Sequence, residues 1–302
     1  MNIKNLTLIA AWLLCHTASA QIFEPFNVRY RYAHPTDVSS SDTEAFEDAE
    51  RDDFQFIEVM GKFPIIFKNN DALILPELIY KSSDYRFVNW SETLATPDRS
   101  QLLRFSLKGV FPLNEKWNLL AIGYASQGNN QGVDWDLSNN VYRGGLGFLV
   151  DNQAGNQIGA SLLYVSEVNL PVLVFLYKGR SASGRWQFNV EAPQLSIVEY
   201  VLSPNSRIRL EQKLDNERYF YGNNQRPEDS YNVTNLNVAL GFSQRLFGPA
   251  YVNLSAGLTP LNLLIVYDQD DDALETLTFD VQPTISAGFY ISVNPDDYVG
   301  DD

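Results

Sequence analysis

Cysteine is almost absent from this chain of 302 residues: Cys15 is the only one, and it falls within the first twenty positions. Those positions (1–20) read as a signal peptide, with Lys4 as the positive start, Leu6 to Leu14 as the apolar stretch and Ala18-Ser19-Ala20 as a small-residue cleavage site before Gln21. An exported chain beginning at Gln21 then has neither disulfide nor thiol chemistry, and stabilises itself by packing or sheet closure alone. Lipid attachment at Cys15 is excluded by the bulky Leu14 before it, where a lipoprotein signal carries a small residue.

Long apolar runs are also missing. After Gln21 the best, Leu258 to Tyr267, is broken by Pro260 and falls short of the roughly 20 residues that a spanning helix needs. Membrane insertion would therefore use a closed barrel. No segment carries a sustained apolar stripe of period 3.6, so almost no helix is expected outside the leader.

A basic surface is lacking too. The formal charge is −15, and loss of Lys4 makes it −16; general nucleic-acid binding, which needs clustered Lys and Arg, is excluded. The acidity is local, concentrated in Asp37 to Asp53, Asp268 to Asp272 and the tail Asp296 to Asp302, which are turn-rich segments read as solvated loops.

Histidine is scarce, and His34 alone follows the leader. A lipid-cleaving hydrolase would have to pair it with Ser39 to Ser41 nearby, yet nucleophile and base must meet in space and sequence neighbours in a loop seldom do. Asp268-Gln-Asp270-Asp271-Asp272 offers oxygen ligands to Ca²⁺ but lacks the Gly and terminal Glu of an EF-hand. No catalytic residue, metal or cofactor is assigned. Gly144, Gly145 and Gly147 resemble part of a nucleotide fingerprint, but no helix follows them and sheet curvature explains them better.

What the chain does have is alternation. Leu236, Val238, Leu240 and Phe242 alternate with Asn237, Ala239, Gly241 and Ser243, and similar dyads recur from Phe26 to Val293. Fourteen strands are expected, at 26–34, 53–64, 72–83, 100–112, 117–126, 139–150, 157–167, 171–178, 185–192, 195–202, 206–220, 232–246, 250–267 and 275–293. Twelve is the alternative, because the eighth to tenth are short. Connections after even strands are short, and several after odd strands are long, which is the parity of periplasmic turns and extracellular loops. Pro260 and Pro283 fall about ten residues from the periplasmic side, near the extracellular rim. Pro76 sits early in the third strand and implies a later start or a bulge.

These residues resemble a Gram-negative outer-membrane β-barrel across Gln21 to Val293. Ser286-Ala-Gly288-Phe-Tyr-Ile291-Ser-Val293 is similar to the assembly signal of such barrels, with the acidic tail 294–302 after it. The resemblance implies an all-β, closed antiparallel transmembrane barrel in the outer membrane, with lipid and lipopolysaccharide around it and the barrel assembly machinery as a partner. It implies location and no activity. Tyr30, Tyr32, Phe111, Trp117, Tyr142, Trp186, Phe247, Tyr251 and Phe289 fit interfacial girdles.

With the apolar dyad outward, inward positions collect Arg29, Arg31, Lys62, Arg104, Lys108, Arg143, Arg207, Arg209, Lys213 and Arg245, against Glu58, Glu191 and Glu211. Such a ladder concentrates small anionic solutes in a confined aqueous path. The other reading is that these side chains are tied into ion pairs that fill the lumen. The expected role is a narrow passive pore or solute-binding channel with a basic lumen. The alternatives are a plugged structural or recognition barrel acting through its acidic loops and, more remotely, the His34 hydrolase or a soluble periplasmic β-protein.

Overall fold

Strands with apolar residues on one dyad and polar residues on the other make a sheet with one apolar face, and in a membrane that face can meet lipid only if the sheet closes on itself so that every backbone group is paired. The computed structural model describes residues 23–40, 49–67, 72–90, 96–97, 99–130, 139–152, 156–165, 170–221 and 228–293, and the expected signal peptide and acidic tail lie outside these. Seventeen strands make one sheet: β1 (Phe23–Ala33), β2 (Thr36–Ser40), β3 (Glu50–Lys62), β4 (Ile65–Phe67), β5 (Ala72–Val88), β6 (Arg99–Pro112), β7 (Trp117–Asn130), β8 (Val141–Asp151), β9 (Gln157–Val165), β10 (Leu170–Arg180), β11 (Trp186–Ala192), β12 (Leu195–Ser203), β13 (Ser206–Phe220), β14 (Glu228–Phe247), β15 (Ala250–Asp268), β16 (Ala273–Phe279) and β17 (Gln282–Val293). No α-helix occurs among the described residues.

Three of these are continuations. β2 extends β1 beyond Pro35, β4 extends β3 beyond Pro64, and β16 leads into β17 across Asp280 and Val281. The remaining fourteen close into an antiparallel barrel, sealed where β1 meets β17 from Phe23↔Val293 to Ala33↔Thr284. The short strands β10, β11 and β12 are each paired on both sides, which decides for fourteen over twelve.

The outer wall is apolar. Ile57, Leu78, Phe105, Phe148, Leu162, Phe175, Leu240 and Leu254 all stand exposed on it, with Trp117, Trp186 and Phe247 near the periplasmic turns. Tyr251 corrects the girdle assignment: it points inward, fully buried and stacked on Tyr290 at 5.3 Å between ring centroids.

Pro76 and Pro260 lie where the ladder is already interrupted. Pro76 stands opposite the Phe63–Pro64 break between β3 and β4, where its carbonyl accepts from the Phe63 amide at 3.0 Å and only the return bond is missing. Leu236 pairs with Leu261 and Val238 with Leu258, which leaves Thr259 and Pro260 together opposite Asn237 in a bulge. At the same level β15 changes its other partner, from β17 at Thr259↔Gln282 to β16 at Leu263↔Thr278.

Above that level the barrel narrows. β13 leans across to meet β7 in a parallel contact at Phe220↔Asn129, bypassing β8 to β12. With β2 bridging β3 and β16, the extracellular part closes as a smaller ring of nine strands: β2, β3, β5, β6, β7, β13, β14, β15 and β16. Its interior is solid. Val38, Phe54, Phe56, Tyr85, Leu102, Tyr219, Tyr231, Leu264, Val266, Leu277 and Phe279 pack into one buried cluster, as befits a ring near the eight-strand size that side chains can fill. Its outer surface turns polar, with Asp84, Arg86, Arg99 and Thr278 exposed, so this dome projects beyond the lipid.

Candidate functional site

The lumen below the dome is organised by β13. Arg207, Arg209, Glu211, Lys213, Asp215 and Glu217 follow one another at every second position, so the two-residue period sets six charged side chains on one face of one strand. Each is met from another strand. Arg29 of β1 forms a two-pronged pair with Glu211, its Nη2 2.9 Å from Oε2. Lys213 Nζ lies 2.6 Å from Glu58 Oε2. Lys81 Nζ is 2.6 Å from Asp215 Oδ1 and 2.8 Å from Glu217 Oε1, and Arg104 also pairs with Glu217. Toward the periplasm Arg209 binds Glu24 and lies 3.3 Å from Glu199, while Arg207 lies 3.2 Å from the other Glu199 oxygen and over the Tyr251 ring.

Between this buried lower network and the dome is a cavity of about 320 Å³, within the usual range for small-molecule sites. One side is charged: Lys62 lies 3.0 Å from Glu77, and Lys108 lies 2.8 Å from Glu191. The other side is apolar, made by Ile122, Leu163, Val165, Val172, Val174 and Leu176, which point inward from β7, β9 and β10.

Of the ten basic residues read from the sequence, seven line this cavity: Arg29, Lys62, Arg104, Lys108, Arg143, Arg209 and Lys213. Arg31 is buried one level higher against the Phe56 ring, Arg207 is buried below, and Arg245 lies at the β14–β15 turn with its Nε donating to the Gly248 carbonyl. Glu24, Glu77, Glu199, Asp215 and Glu217 also lie inside, together with Lys81 and Lys178. Seven carboxylates, Glu24, Glu58, Glu77, Glu191, Glu211, Asp215 and Glu217, line the cavity beside the seven bases.

The other candidates lie apart from it. His34 is exposed, its ring 5.4 Å from that of Tyr32, and the Ser40 hydroxyl is bonded to Glu275 at 2.6 Å. Asp268 accepts from the backbone amides of Asp270 and Asp272, both at 2.9 Å, which folds the acidic run into a turn; Ser41 and the acidic stretch 42–48 lie outside the described residues.

A closed ring of fourteen antiparallel strands with an apolar exterior and charged interior defines a transmembrane β-barrel of the outer-membrane class. Residues 16–293 match the family described as Domain of unknown function (DUF6268), and the chain belongs to that family. No curated protein matches the chain. Among solved structures it is similar to an outer membrane channel from Pseudomonas putida F1 (10% identity, TM-score 0.43, 91% of this chain and 96% of that one). It is also similar to a Pseudomonas aeruginosa FadL homologue (9%, 0.40, 90% and 90%) and to the NanC porin (8%, 0.37, 89% and 100%).

Proposed function

We propose that the protein is a solute-binding channel of the outer membrane, in which a small solute occupies the mid-lumen cavity. The observation that carries this reading is the cavity of about 320 Å³ between two filled zones, bordered by charged groups of both signs. A purely structural barrel has no need to leave such a space, since the same strands fill their lumen above and below it. With seven groups of each sign around the cavity, its field favours neither small anions nor small cations, and a solute gains from meeting partners of both charges at fixed positions.

Planar-bilayer recording tests this. The expected currents are small and weakly selective, with reversal potentials close to zero in a salt gradient. Strong anion selectivity would overturn the balanced wall and restore a basic one. Complete silence would favour the second reading, a plugged recognition barrel, which has the filled dome in its support. Deleting 42–48 would then impair recognition alone, whereas the longer deletion from Pro35 to Asp52 would remove β2 and break the nine-strand ring.

A further inference from the structure

The wall around the cavity is uneven in height, and its lowest point lies beside the apolar side of the cavity. β11 and β12 are joined by a tight turn at Pro193 and Gln194 and have seven and nine residues, against fifteen in the neighbouring β13. The last β12 pair with β13 is Leu195↔Lys213, followed by one bond from the Leu214 amide to the Gln194 carbonyl. On the other flank the last pair of β10 with β11 is Phe175↔Ala192. Among the described residues no strand occupies the space above this hairpin, between β10 at Val172 to Val174 and β13 at Leu214 to Glu217.

Two details mark this space as a true gap in the wall. Leu214 and Asn216 belong to the outward dyad of β13, Asp215 and Glu217 to the inward one, and all four line the same cavity. On β3, β6 and β10 the cavity is bordered by alternate residues, and here by consecutive ones, so at this height it reaches the backbone edge of β13. The edge carbonyl of Asn216 is served by a side chain, Arg143 Nη2 of β8 at 2.8 Å, where a neighbouring strand would otherwise supply the donor. The gap also lies within the apolar belt, because Leu173 and Phe175 stand exposed on the outer face of β10 beside it.

The structure assigns to this gap the role of a lateral portal through which an amphiphile dissolved in the membrane, with an apolar chain and a charged headgroup, reaches the cavity. Resting on the channel reading above, this names its solute class. The chain lies against Leu163, Val165, Val172, Val174 and Leu176, where burying apolar surface is favourable. The headgroup turns to the ion-pair ladder, which offers partners of either sign. Passage beside the dome needs no opening of its packed core.

The test uses thiol labelling from the lipid phase, with the barrel in vesicles and Cys15→Ser introduced so that no native thiol competes. A maleimide carried on an acyl chain, confined to the bilayer, is applied to Val172→Cys, which faces the cavity, and to Leu173→Cys, which faces lipid. Only the band with folded, heat-modifiable mobility is read. The portal predicts labelling of both, and loss of labelling at residue 172 when Leu214→Trp blocks the gap. Labelling at residue 173 with none at 172 would overturn it, as would labelling at 172 that survives Leu214→Trp. Neither result depends on ion conduction, so the portal can fail while the channel stands, and the reverse.

Discussion

At the scale of single residues, Lys81 is the side chain on which the lumen most depends. It is 2% exposed and holds Asp215 and Glu217, with Glu58 3.7 Å away. Removing one member of a buried network leaves its partners charged and uncompensated, which costs about 3–5 kcal/mol. Lys81→Met is therefore expected to lower the unfolding midpoint in urea strongly. Arg86→Met is expected to change stability by less than about 1 kcal/mol, since exposed pairs are worth little; Arg86 is 67% exposed and stands 3.9 Å from Asp52 and Asp53. Equal effects from the two substitutions would contradict the network. The acids of this network were readable from the same period that located the bases. Asp215 and Glu217 simply continue the series from Arg207 along β13, and Glu24 lay just before the expected start of β1 at residue 26. What a single strand cannot reveal is which neighbour each charge meets, because those partners come from strands more than a hundred residues away in the cases of Lys81 with Asp215 and Arg29 with Glu211.

At the scale of elements, the contact between β7 and β13 shapes the molecule. A Cβ built on Gly128 would lie 2.2 Å from the Arg218 carbonyl oxygen, so β13 approaches β7 more closely there than any side chain permits. Gly128→Val is expected to force the two strands apart at a cost of about 1–3 kcal/mol or more, with faster amide exchange in Asn129 and Phe220 and larger bilayer currents as the dome loosens. Unchanged exchange would mean that the approach is not tight. Strand existence, phase and number were all legible, since each of the fourteen expected segments overlaps a strand of the closed barrel. The bypass was not, because alternation tells which face a residue occupies and says nothing of the strand beside it. One clue did stand in the sequence: Leu162-Leu163-Tyr164-Val165 and Val172-Leu173-Val174-Phe175-Leu176 are apolar on both dyads. Strands apolar on both faces are covered on both, and here the covers are lipid outside and an apolar cavity wall inside.

At the scale of the whole molecule, a wide membrane barrel changes strand number along its axis. Fourteen strands enclose a charged, partly hollow lumen, and nine continue outward around a dry core. That change explains why the cavity ends where it does, why Pro260 and Pro283 lie at its upper level, and why the wall is notched beside β11 and β12. The central claim is the direct meeting of β7 with β13, and one distance tests it. Spin labels on Asn129→Cys and Phe220→Cys, in a Cys15→Ser background, report their separation by electron–electron dipolar spectroscopy. Neighbouring strands predict a short distance, with backbones about 5 Å apart. A regular fourteen-strand cylinder, in which β8 to β12 intervene along the full height, would place the two backbones more than about 20 Å apart, and that result would contradict the account.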